Sequence, residues 1–127
     1  MIDELLDLGI DENDIKNIME FNNGLTDYEE YHKNIETLEM IGCNDKEIRN
    51  IIISNPSILI RSNIDILKLI KMLASYGFNT LNITFDTNPF LLNKDSYEID
   101  EFFKEKRKQN LSDDEIIDLI ENEIDVF

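Results

Sequence analysis

Apolar residues along the chain fall into short runs of helical spacing, interrupted at regular intervals by glycine, asparagine and proline. The clearest stretch is Ile41-Gly42-Cys43-Asn44-Asp45-Lys46-Glu47-Ile48-Arg49-Asn50-Ile51-Ile52-Ile53-Ser54-Asn55-Pro56, and worn versions of it recur at a period near 33 residues. Gly9, Gly42, Gly77 and Asn110 stand 33, 35 and 33 residues apart, and Pro56 and Pro89 are again 33 apart. A fixed period of this size marks a repeat array, in which each unit needs its neighbour's surface to bury its own apolar face.

In the clearest unit, Gly42 suits the positive φ wanted just past a helix end. Asn44 is a good N-cap, with Glu47 completing a capping box. Ile48, Ile51, Ile52 and Ile53 follow helical spacing up to Asn55, where the following proline disfavours the α conformation. Residues 57–61 read as a connector with room for one 3₁₀ turn, and Asn63 is the expected cap of a second helix that stops at Gly77. One unit is therefore two helices with a proline break between them.

The other copies keep this logic. After Gly9 come Asp11 as cap, Ile15 and Ile18 at the offsets of Ile48 and Ile51, Asn23-Gly24 in place of the proline, and a second helix expected over 26–41. After Gly77 come Asn79, Ile83 and Phe85. Asn88-Pro89-Phe90-Leu91-Leu92 then mirrors Asn55-Pro56-Ser57-Ile58-Leu59, ahead of a second helix over 96–109. Asn110 opens a half unit with a Ser112–Glu115 capping box and Ile116 and Leu119 at the repeat offsets. The expected organisation is one all-α domain of about three and a half helical hairpins, with units at 9–41, 42–76, 77–109 and 110–127.

The widths of the apolar stripes predict positions in the stack. The helix over 63–76 is apolar nearly all round, relieved only by Asp65, Lys68, Lys71 and Ser75, and belongs at the centre with neighbours on most sides. Tyr28, Tyr31, Ile35, Leu38 and Ile41 form a narrow seam, and Tyr97, Ile99, Phe102 and Phe103 crowd the first half of their helix; both helices should flank the centre.

At 127 residues and 42% hydrophobic content, the chain can build one core. No stretch approaches the roughly 20 uninterrupted apolar residues of a membrane helix. An acidic N-terminus without signal-peptide features adds the expectation of a cytoplasmic protein. The abundance of Ile, Asn, Lys and Asp suits an AT-rich, low-GC bacterial genome.

Cys43 is the only cysteine, so no internal disulfide can form, and its place just after Gly42 suits a small buried apolar group rather than a reactive thiol. His32, the only histidine, lies on a charged helix with no nucleophile to serve and is expected at the surface. No hydrolase elbow, phosphate-cradling loop, zinc spacing or dinucleotide fingerprint occurs, which argues against an enzyme and against a cofactor. The acidic groups around Asp11 and Asp113 occupy first helical turns, where carboxylates complement the exposed amides, and lack calcium-loop spacing; no metal site is expected.

The formal charge of −16 is unevenly spread. Residues 1–47 hold 14 acids against 3 bases, residues 48–109 hold 7 against 9, and residues 110–127 hold 7 against none. The middle is thus slightly basic between two acidic ends, while the summed field still opposes encounter with nucleic acid.

The pattern Gly-x-Asn-x-x-Glu-Ile-x-x-Ile-Ile-x-x-Asn-Pro-x-Ile-Leu, followed by a helix ending Leu-x-x-Tyr-Gly-Phe, resembles the repeat of the mitochondrial transcription termination factor (mTERF) family. The resemblance is sharp over 40–78, fair over 79–110 and weak over 5–26. It implies a short superhelical stack, of right-handed type, built from hairpins of two helices and a 3₁₀ turn. In the family, the concave basic side of such a stack holds double-stranded nucleic acid. This chain departs from the family in its smaller number of units and its acidic ends.

On that footing the candidate nucleic-acid contacts are Arg49, Arg61, Lys68 and Lys71 in the central unit, with Lys94, Lys104, Lys106, Arg107 and Lys108 further along. The bases of 104–108 also suit the negative end of a helix dipole. Asp113, Asp114, Asp118, Glu121 and Asp125 form a candidate acidic face able to occupy a basic partner in the manner of a nucleic-acid mimic. The leading expectation is a non-catalytic scaffold for another protein. Direct duplex binding is the second reading, disfavoured by net charge, and the acidic decoy is the third.

Overall fold

A computed structural model describes residues 2–23 and 28–122, and every regular element among them is helical. The α-helices are α1 (Ile2–Asp7), α2 (Glu12–Phe21), α3 (Tyr28–Met40), α4 (Asp45–Ser54), α5 (Asn63–Tyr76), α6 (Leu81–Thr87), α7 (Ser96–Lys108) and α8 (Asp113–Asn122). Two 3₁₀ turns, Pro56–Leu59 and Pro89–Asn93, follow α4 and α6 at the two prolines.

The four joins predicted from the period share one local geometry. Gly9, Gly42, Gly77 and Asn110 have φ of 87°, 101°, 114° and 67°. At each join the next amide reaches back to the carbonyl five residues earlier: Ile10 to Leu5, Cys43 to Leu38, Phe78 to Leu73 and Leu111 to Lys106, all at 3.0–3.2 Å. This is the Schellman closure, which satisfies helix-end carbonyls and carries an apolar residue just beyond the left-handed position. Ile10, Cys43 and Phe78 fill that place and are buried. Cys43 is therefore a packing residue of a helix stop, as its position suggested.

Helix starts are also local. Asp11 accepts from the Asp14 amide at 2.8 Å, and the Asn44–Glu47 and Ser112–Glu115 capping boxes are both closed. Two expected caps differ. Ser62, not Asn63, precedes α5, because the Asn63 side chain is drawn to Asn34 and Thr37 of α3 at 3.0 and 2.9 Å. Thr80, not Asn79, precedes α6, which shifts its inner face to Leu81, Thr84 and Phe85 and leaves Ile83 in solvent. The start of the helix expected over 26–41 lies outside the described residues as far as Thr26 is concerned.

Corresponding helices pack side by side: α3 on α5, α5 on α7, and α4 on α6, with the 3₁₀ turn Pro56–Leu59 wedged against α2, α3 and α4. The core runs continuously through these layers. Ile48, Ile51 and Ile52 of α4 are fully enclosed with Ile58, Leu59, Ile66, Leu69 and Leu73, each contributing about 1.5–3 kcal/mol of burial.

Asparagines tie one unit to the next. Asn22 Nδ2 donates to the Pro56 carbonyl at 2.9 Å, and Asn55 Nδ2 donates to the Pro89 carbonyl at 3.0 Å, each across 34 residues. Asn55 is fully served, since its oxygen accepts from the Ser57 hydroxyl and from Asn93. The side-chain oxygens of Asn22 and Asn88 are buried without a partner.

The central helix departs from its expected setting. α5 does lie between α3 and α7, but it buries only the face of Ile66, Leu69 and Leu73, and Ile64 and Leu67 stand open. α3 buries more of its length, through Tyr31, Asn34, Ile35, Thr37 and Leu38. On α7, Ile99 and Phe103 are buried as expected, whereas Tyr97 points into solvent.

Candidate functional site

Two of the four central cations are turned inward. Arg49 Nη1 donates to the Leu8 carbonyl at 3.0 Å, across the join at Gly9, where an added Cβ would stand 2.6 Å from that nitrogen. Arg61 donates through Nη1 to the Leu92 carbonyl and through Nη2 to Asp95 Oδ1 at 3.0 Å, and its side chain is only 13% exposed. Both guanidinium groups bridge units and complete backbone carbonyls that would otherwise lack donors.

Lys68 and Lys71 behave differently. They lie on the open side of α5 and, with Met72, Ser75 and Ser96, line a shallow groove of about 290 Å³ between α5 and α7. The structure brings these two together in a groove that neither Arg49 nor Arg61 lines.

Four of the later bases, Lys94, Lys104, Lys106 and Arg107, are engaged with acids or rings. Lys104 Nζ is 2.8 Å from Asp100 Oδ2, and the hydrogen bond holds the lysine above and the carboxylate below their ordinary pKa ranges. Arg107 makes a two-pronged bond to Asp113 at 2.9 and 2.8 Å and lies 5.0 Å from the centre of the Tyr76 ring. Lys94 pairs with Glu98 at 3.7 Å, and Lys106 lies over Phe102 at 5.5 Å.

The acidic candidates on α8 divide between bonded and open carboxylates. Asp113 is held by Arg107, which lowers its pKa, and Glu121 accepts from the Thr84 hydroxyl at 3.2 Å, joining α8 to α6. Asp114 and Asp118 are exposed, and Asp125 lies outside the described residues.

A second groove, of about 420 Å³, runs between α3 and α5 and is lined by Lys33, Glu36, Thr37, Met40, Asn63 and Leu67. It is the repeat counterpart of the first. The 35-residue step from Gly42 to Gly77 carries Lys33 onto Lys68, Glu36 onto Lys71, Thr37 onto Met72 and Met40 onto Ser75. Met40 and Leu67 give its lining a short apolar strip, 69% and 40% exposed, and Ile60 and Ile64, outside that lining, are open as well. Sequence reasoning missed this strip because it assigned the apolar circumference of α5 wholly to the interior.

His32 links α3 to α1. Its Nδ1 lies 2.9 Å from Glu4 Oε1 and its Nε2 contacts Glu36; the Glu4 hydrogen bond raises its pKa despite some loss of hydration. Burial pushes the Cys43 thiol up to about 12, with Glu47 and Asp86 adding to the shift. Among the described residues no three His, Cys, Asp or Glu side chains gather as metal ligands would, and no helix is long and apolar enough to cross a membrane.

The paired helices, left-handed joins and proline-started 3₁₀ turns agree with a family model described as mTERF, which matches residues 1–90. The chain belongs to the mTERF family. The match takes in the worn first unit as well as the sharp second one, so the mTERF pattern reaches back through α1 and α2. No curated protein and no solved structure matches the chain.

Proposed function

We propose that this mTERF-family chain is a non-catalytic binding scaffold whose partner is another protein, working in the cytoplasm. The observation that supports this most is the disposition of charge. Arg49 and Arg61 are committed to backbone carbonyls, while Lys104 and Arg107 are committed to Asp100 and Asp113. Duplex affinity comes largely from cations that displace counterions from phosphates, and each cation already paired is withdrawn from that role. Exposed apolar side chains on α3 and α5 offer the contact that protein partners use. Co-purification with the tagged chain at moderate salt should retain a defined protein; finding none, together with salt-sensitive duplex binding, would reject the reading.

Direct duplex binding is favoured by the family resemblance and by Lys68 and Lys71 sharing one groove. Titration with duplex DNA and duplex RNA at roughly 50 mM salt tests it. Affinity lost on Lys68→Glu with Lys71→Glu would establish this second reading, and no detectable affinity would remove it.

A further inference from the structure

Asn23-Gly24 holds the place that Pro56-Ser57 and Pro89-Phe90 take in the later units. An asparagine followed by glycine carries a reaction of its own, because a glycine has no Cβ to crowd its backbone nitrogen. That nitrogen attacks the asparagine side-chain carbonyl carbon. A new C–N bond forms, the bond to the side-chain amide breaks, and ammonia leaves with the glycine amide proton, so that a cyclic imide remains. Water then opens the imide at either carbonyl. One product is aspartate; the other is isoaspartate, in which the main chain runs through the former side chain and is longer by a methylene.

The fold withholds this reaction from the other asparagines near the joins and breaks. Asn55 and Asn88 precede prolines, which have no N–H. Asn22 is buried with its Nδ2 on the Pro56 carbonyl, and the amide that follows it donates to the Glu20 carbonyl at 3.4 Å. Asn110 shares the left-handed conformation of Asn23, at φ of 67° against 54°, but the next amide belongs to Leu111 and is committed to the Lys106 carbonyl at 3.2 Å. Within the helices the following amide is drawn into the i→i−4 ladder. Asn23 is exposed, and it is the one asparagine of the chain with glycine after it.

We propose that Asn23 is a site of spontaneous covalent modification, passing through the imide to isoaspartate and aspartate, and that the isoaspartate loosens the tie between the first unit and the second. Asn23 adjoins Asn22, whose bond to the Pro56 carbonyl makes that tie. The added methylene lengthens the main chain directly beside it. The new carboxylate also stands just past the C-terminal end of α2, where the helix dipole opposes negative charge, after a last turn that contains Glu20 and no base. The later units have proline at this position and cannot react in this way, so the change falls on the first tie alone.

The test ages the full chain in mildly alkaline buffer, which favours loss of the proton from the attacking nitrogen. Peptide mass mapping follows the gain in mass from amide to acid, and isoaspartate is counted by methyl transfer from S-adenosylmethionine with a protein isoaspartyl methyltransferase. Asn23 should convert first, while Asn22, Asn55, Asn88 and Asn110 stay intact. Gly24→Val should slow conversion of Asn23 to the level of the other asparagines, with its melting curve confirming the fold. The aged chain should unfold at lower urea than both fresh chain and Asn23→Asp, since that variant has the charge without the longer main chain. Amide exchange in α2 should quicken in step.

An intact Asn23, conversion spread evenly over the asparagines, or Gly24→Val reacting as fast as the parent would each overturn the site. An aged chain that unfolds at the midpoint of Asn23→Asp would overturn its effect on the tie.

Discussion

The Asn55 side-chain amide donates to the Pro89 carbonyl 34 residues away, and Asn22 repeats the bond to Pro56 one unit earlier. Asn55→Ala removes that bond and strands the partners of its oxygen, so it should cost about 1–3 kcal/mol in urea unfolding. Asn22→Ala should cost less, because its oxygen is already without a partner. Asn88→Leu should be near neutral or stabilising, since its oxygen is buried and unserved and no rung from it is seen among the described residues.

The inward arginines should report on stability. Arg61→Ala leaves the Leu92 carbonyl and Asp95 without their donor and should destabilise by about 1.5–3 kcal/mol, the range for hydrogen bonds to charged groups. Lys68→Ala and Lys71→Ala, on the open face, should stay within about 0.5 kcal/mol. Thermal or urea melts of the three variants decide the matter.

His32 should make the docking of α1 depend on pH. Its folded pKa is raised by Glu4 first, with Glu36 and Glu39 contributing from α3 itself. A raised value means the contribution is fully present below the unfolded pKa of about 6.5 and fades as pH climbs through the folded value. Amide exchange in α1 should therefore quicken as pH passes upward through that window, after correction for intrinsic rates, and His32→Gln should flatten the effect.

Cys43 should resist alkylation in the folded chain at pH 8, where the raised thiol keeps its proton, and react once urea unfolds it. Unfolded chain sheds that proton from about pH 8.5, while folded chain retains it. Stability should accordingly drop as pH rises above 9. Cys43→Val preserves the apolar plug beyond Gly42, whereas Cys43→Ser should cost about 1–3 kcal/mol by burying a hydroxyl.

Gly42 isolates the conformational demand of a join. An added Cβ there finds nothing nearer than 3.8 Å, so Gly42→Ala should pay only for its φ of 101°, about 1–2 kcal/mol. Gly42→Asn should cost less, since Asn110 already holds the same role at φ 67°. Melting temperatures of the two variants provide the comparison.

What could be read in the amino acids was local. Glycine or asparagine at each join, the Asn44 and Ser112 boxes, and the proline breaks all act within a few residues, and each is in place. What could not be read depends on approach between units. The recurrence of Asn-Pro was visible, but its bond spans 34 residues and needs the stack to exist first. Arg49 and Arg61 looked like surface cations because composition does not reveal a carbonyl waiting across a join. The open side of α5 was hidden for the opposite reason: apolar spacing tells how much of a helix would gain from cover, not whether cover is present.

The rungs at Asn22 and Asn55 also set a standard tread for the staircase. A second copy of residues 42–76 spliced in behind the first would present an Asn55 equivalent to the following Pro carbonyl at both new seams, with a Gly77-type stop on either side. The molecule is in that sense modular stock that can be lengthened by whole steps, and its own steps of 33, 35 and 33 residues show that a tread keeps its place when a step varies by two residues.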